Sequence, residues 1–106
     1  MRILRFVVDG QRLRPDHSCD FTGLIAGSQG YLHAQFRLSK DWSGCKVAVS
    51  FWRGKSDEEH AAPLIGGTCM IPAEALTGKY FGVSLTGVKN GYRITTNRIH
   101  VPQEVE

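Results

Sequence analysis

The sequence predicts an all-β chain: an Ig-like antiparallel β-sandwich of about six to eight short strands, one domain over residues 1–106, with one helical turn near residues 72–76. Three observations lead there. Apolar residues recur with period two in segment after segment. Twelve glycines punctuate the chain, which favours turns over long helices. Only PAEAL (72–76) has helical character, with Pro72 suited to a first helical position and Gly78 close behind to stop it. A small barrel is the alternative architecture. The Cys…Trp…Cys spacing of antibody domains is missing.

Each strand has its own justification. In RILRFVVD, Leu4, Phe6 and Val8 share a face, and Asp9-Gly10 then turns the chain into QRLR. YLHAQFRL is the cleanest alternation. Leu32, Ala34, Phe36 and Leu38 point one way, and Tyr31, His33, Gln35 and Arg37 the other. KVAVSFW sets Val47, Val49 and Phe51 inward against Ser50 and Trp52, while Trp42 in KDWSG is expected to fold back over the core. GKSDEEHAAP (54–63) reads as an exposed loop. GTCMIP is a short strand with Cys69 and Ile71 in phase. KYFGVSLTGV sets Phe81, Val83 and Leu85 opposite Tyr80, Gly82, Ser84 and Thr86. Asn90-Gly91 opens a last hairpin into YRITTNRIHV. There Ile94 and Thr96 are in phase but Ile99 and Val101 are not, so a β-bulge is expected near Asn97 or Arg98.

Composition narrows function. The net charge is +3, and all of it resides in residues 1–14, where Arg2, Arg5, Arg12 and Arg14 face Asp9 alone. Four arginines split across a hairpin suit a soluble sheet edge or a subunit contact, and a nucleic-acid partner is not expected. No run approaches the ~20 apolar residues of a membrane helix. The first residues also lack the core of a signal peptide, so the expectation is a soluble chain without an export signal. Cys19, Cys45 and Cys69 are odd in number and hold no C-x-x-C pair, which fits reduced thiols rather than a disulfide framework or zinc site. His17, His33, His60 and His100 lack ligand spacing. Asp57-Glu58-Glu59 lacks the alternation of a calcium loop. Gly27-Ser28-Gln29-Gly30 precedes a strand and reads as a turn, and no G-x-S-x-G occurs. Neither a catalytic residue, a metal nor a cofactor is expected. Tyr31, Trp52 and Tyr80 fall on the solvent side of their strands. If those strands adjoin, they make an exposed aromatic patch, fit for a protein interface or for stacking sugars.

The order of these motifs is similar to a known group. VDGQRL, YLHAQFRLSKDWSG, KVAVSFW, CMIPAEAL, KYFGVSLTGV and NGYRITTN together resemble the β-sandwich domains of tailed-phage and prophage structural proteins, especially the N-terminal anchoring domains of baseplate and receptor-binding fibre proteins. The similarity covers roughly residues 3–101. It implies a non-enzymatic virion protein, assembled in the bacterial host cytoplasm, that packs against other virion structural proteins in the baseplate, tail fibre or capsid decoration. A homo-oligomer is expected, with a trimer as the guess. Tyr31, Trp52, Tyr80, Arg2, Arg5, Arg12, Arg14 and Arg93 are the candidate interface residues. Such proteins often continue into a stalk, so an end at Glu106 suggests a free-standing virion protein or an anchoring domain. Two rival readings are a carbohydrate-binding module for host glycans and, more remotely, a hydrolase whose site has no sequence signature.

Overall fold

The computed structural model describes residues 1–106. The chain is an all-β sandwich of nine strands: β1 (Arg2–Asp9), β2 (Arg12–Pro15), β3 (Leu32–Leu38), β4 (Lys46–Arg53), β5 (Glu59–Pro63), β6 (Thr68–Met70), β7 (Tyr80–Lys89), β8 (Tyr92–Thr95) and β9 (Ile99–Pro102). Sheet one has the order β2-β1-β3-β6. Sheet two has the order β5-β4-β7-β8, with β9 also on β7. The only helical pieces are 3-10 turns at Lys40–Trp42 and Ala73–Leu76, the second where PAEAL predicts a turn.

Alternation puts one face of each sheet inside. Leu4, Phe6 and Val8 of β1, Leu32, Ala34 and Phe36 of β3, Val49 and Phe51 of β4, and Phe81, Val83 and Leu85 of β7 are all buried in one cluster. Phe6 and Phe36 stack with centroids 5.0 Å apart, because the register pairs them across adjacent strands. Trp42 caps this core as expected, donating from Nε1 to the Gly10 carbonyl at 2.8 Å. Gly87 makes room for it, since a Cβ there would lie 2.8 Å from the indole ring.

Four features differ from the sequence expectation. First, β1 and β3 run parallel, so the sandwich is not purely antiparallel. The 16–31 segment carries the chain back between them, burying Leu24 and setting Phe21 edge-on to Phe6 at 5.4 Å. Second, residues 54–63 are not all loop. Glu59–Pro63 forms β5, an edge strand on β4 in which His60 and Ala62 are half-buried. Because the Leu64 N–H bonds the Val47 carbonyl, the odd-numbered residues turn their backbone groups outward. Pro63 therefore has no donor where the edge is open, a common protection against edge pairing. Third, the expected bulge is a full break: β8 ends at Thr95 and β9 resumes at Ile99 on the same edge of β7. Fourth, the strand count is nine, because β5 and the β8–β9 division add to those foreseen.

The break joins the two sheets. Asn97 Oδ1 accepts from the Leu13 N–H at 2.7 Å, and its Nδ2 donates to the Leu13 carbonyl at 3.2 Å. One side chain thus satisfies the edge of β2 as a strand would. At the opposite side Gly66 and Gly67, with φ of 62° and 79°, make the tight turn that passes the chain from β5 in sheet two to β6 in sheet one.

Candidate interaction faces

Register fixes what each outer face presents. On sheet one the outward residues fall in rows. Ile3, His33 and Met70 lie side by side, then Arg5, Gln35 and Thr68, then Arg14, Val7 and Arg37, and finally Arg12 beside Asp9. Val7 is only 7% exposed although it faces outward. Its register neighbours are Arg14 and Arg37, and long arginine stems cover apolar surface in this way. Arg5 Nε donates to Gln35 Oε1 at 3.2 Å, which leaves the terminal fork of its guanidinium free. Arg12 and Arg37 make no side-chain hydrogen bond. The only basic side chain within ion-pairing distance of a carboxylate is His60, with Nε2 3.5 Å from Glu58, so none of these arginines has a carboxylate within bonding reach.

Two shallow, open depressions lie in this face. One of about 350 Å³ is bordered by Arg5, Asp16, Gln35 and Arg37. The other, about 380 Å³, is bordered by Asp9, Arg14 and Arg37. Asp16 accepts from the Ser18 backbone N–H at 3.0 Å and from the Ser18 hydroxyl at 2.9 Å. These bonds, followed by the charges of Arg37 and Arg14, hold its carboxyl below the usual carboxylate range. The end of the face away from Arg12 is largely apolar: Met1, Tyr31 and Met70 are 78%, 48% and 51% exposed, around half-buried Ile3 and His33.

Sheet two presents a different surface. Lys46, Ala48, Ser50 and Trp52 of β4 lie beside Thr86, Ser84 and Gly82 of β7, with Ala61 and Pro63 on β5. Trp52 is half-buried. The Arg98 guanidinium lies 4.4 Å from its ring centroid, a cation–π stack, and also donates to the carbonyls of Gly54 at 3.0 Å and Ser56 at 3.3 Å. Gly82 allows this crossing, since a Cβ there would sit 2.7 Å from Arg98 Nε and 3.1 Å from the indole. Ser50 donates to Glu59 across the β4–β5 pair.

The structure therefore separates the residues singled out from the sequence. Tyr31, Trp52 and Tyr80 do not form one patch: Tyr31 leads into sheet one, while Trp52 and Tyr80 belong to sheet two. Tyr80 packs against His100 with centroids 4.8 Å apart. The parity of all three is as expected; their sheet membership is what alternation does not encode. Of the four N-terminal arginines, Arg5, Arg12 and Arg14 share the outer face of sheet one. Arg2 turns away and donates to the carbonyls of Asp20 at 2.9 Å and Thr22 at 2.7 Å. Arg93 is exposed on β8 but does not share a surface with Asn97, which leaves for β2. Arg37, Met70 and Arg98 complete these surfaces and were not singled out. Arg37 was legible as the outward continuation of the His33–Gln35 alternation, whereas Arg98 had no local signal.

No group of three or more His, Cys, Asp or Glu side chains converges as metal ligands do. No helix is long and apolar enough to cross a membrane. Comparison with protein-family models, curated proteins and solved structures finds no match to this chain.

Proposed function

We propose that this chain is a non-enzymatic assembly module of a phage virion, docking onto neighbouring virion proteins through the outer face of sheet one. The observation that carries the reading is the apolar corner of that face. Met1, Tyr31 and Met70 project into solvent around Ile3 with nothing of the chain's own to cover them, and side chains of this kind anchor protein interfaces. Burying the free halves of Tyr31 and Met70 contributes about 2 kcal/mol to docking. The motifs behind the phage resemblance lie in the scaffold of this face and its core. Asp9-Gly10 turns β1 into β2, Trp42 closes the core, and Ile71-Pro72 ends β6. A glycan reading relies on open aromatic platforms. Trp52 carries a guanidinium on its ring and Tyr80 packs on His100, which leaves Tyr31 as the one open ring of the three and no platform of adjoining aromatics.

The test is mass-spectrometric detection of the chain in purified particles, with Tyr31→Ser/Met70→Ser as the paired variant. The expected result is a variant that folds normally but is lost from particles. Absence of the wild-type chain from particles, or normal incorporation of the variant, overturns the reading.

A further inference from the structure

We infer that the basic rows of sheet one receive the acidic β4–β5 loop of a second copy, giving a head-to-tail contact between identical chains. The inference rests on the assembly reading above and names one of its partners.

Two surfaces of the same chain complement each other. Arg5, Arg12, Arg14 and Arg37 lie together on the outer face of sheet one with none in salt-bridge contact, and these four cations outnumber the two carboxylates near them, Asp9 beside Arg12 and Asp16 near Arg14 and Arg37. Asp57, Glu58 and Glu59 are exposed and consecutive, and they outnumber the cations beside them, Lys55 and the Arg98 that bonds the Ser56 carbonyl. The loop that bears them is fixed at both ends. Arg98 grips its neck through the Gly54 and Ser56 carbonyls, and Ser50 holds Glu59. Its carboxylates are thus offered by an ordered element, which lowers the entropy lost on docking. The free forks of Arg5 and Arg37 beside the 350 Å³ depression outnumber the one carboxylate there, Asp16, and suit bidentate recognition of such groups.

The loop belongs to sheet two and the arginines to sheet one, so the contact joins unlike surfaces of two copies. Contacts of this type close into a ring when the rotation permits. A face of four short strands covers roughly 400 Å² at strand spacings of about 4.8 Å, against about 800 Å² per partner in a stable interface. One contact alone is therefore weak and salt-sensitive. A ring, in which each copy makes two, holds more firmly.

Charge reversal tests this directly. Variant one carries Arg14→Glu and Arg37→Glu; variant two carries Asp57→Lys and Glu58→Lys. All four positions have solvent-facing side chains, and melting curves check that folding is intact. By sedimentation at low ionic strength, the wild type self-associates, and ~1 M salt, with its Debye length of about 3 Å, suppresses this. Each variant alone loses about 100-fold in self-association, because like charges now meet. An equal mixture of the two regains it, since the acidic face of one meets the basic loop of the other. A wild type that stays monomeric at low salt overturns the inference. So does self-association that survives in both variants, or a mixture that fails to recover. Tight binding of single-stranded DNA by a monomeric wild type, lost in variant one, would reassign the arginine rows to nucleic acid. None of these outcomes touches the presence of the chain in particles, so the assembly reading stands or falls separately.

Discussion

On the outer face of sheet two, Arg98 stacks on Trp52, bonds two carbonyls and crosses a glycine that leaves space for it. On the outer face of sheet one, Arg12 and Arg37 make no side-chain hydrogen bond and no salt bridge, and Met70 and Tyr31 stand open at the other end of that face. The same residue type is consumed by the fold in one place and left available in the other. An arginine satisfied at home contributes to stability, while arginines held apart from any partner contribute little to it and remain free for recognition. Counting charges along the chain cannot separate these cases. Only the register, which places Gly82 under Arg98 and Val7 between Arg14 and Arg37, does so.

Substitutions sharpen this contrast, and Gly87 of β7 gives its upper end. Gly87→Ala drives a methyl into the Trp42 ring inside the core, where neighbours cannot yield, and is expected to destabilise by about 3 kcal/mol, read by thermal or urea unfolding. Arg98→Ala removes the stack and two charge-assisted bonds and frees the β4–β5 loop. The expected loss is about 2 kcal/mol, with the Trp52 fluorescence maximum shifting to the red as its cover goes. Gly82→Ala presses on the Arg98 and Trp52 side chains at the surface rather than on backbone, so it should cost about 1 to 2 kcal/mol, no more than removing the stack itself. Arg12→Ala should change stability by less than about 0.5 kcal/mol and Arg37→Ala, which uncovers part of Val7, by less than about 1 kcal/mol, while both weaken association. A large loss of stability in these last two would erase the distinction between the faces.

Much of the scaffold was readable because period-two alternation is a local property. The phases of β1, β3, β4 and β7 each followed from their own residues, as did Trp42's return to the core. The failures share a cause. Glu59–Pro63 is a strand with two alanines and a proline, and its burial comes from β4 beside it rather than from its own apolarity. The parity slip before Ile99 was visible, but the fate of Asn97 depends on Leu13, which is 84 residues away. The parallel pairing of β1 with β3, and the assignment of Tyr31 and Trp52 to different sheets, are likewise matters of strand order. The arginine cluster and the outward phase of Tyr31 and Arg37 were therefore legible strand by strand. That β1, β3 and β6 bring them onto one face with Met70 was not.

Cysteine chemistry supplies a smaller check on the interior of sheet one. Burial pushes the Cys69 thiol up from 9.0 to about 11. The folded chain then keeps a proton that the unfolded chain releases. Stability is full below pH 9 and declines as the pH climbs from about 9 toward 11. Cys69→Ala should flatten that decline in pH-dependent melting curves.

The central claim is that the outer face of sheet one docks on neighbouring proteins through its Met70–Tyr31 corner, while the strand face of sheet two around Trp52 and Tyr80 stays open. Hydroxyl-radical footprinting of the chain, free and within assembled particles, reads both faces in one experiment. The account predicts that Met70 and Tyr31 lose reactivity on assembly while Trp52 and Tyr80 keep theirs. Protection of Trp52 and Tyr80, with Met70 and Tyr31 unchanged, would contradict it.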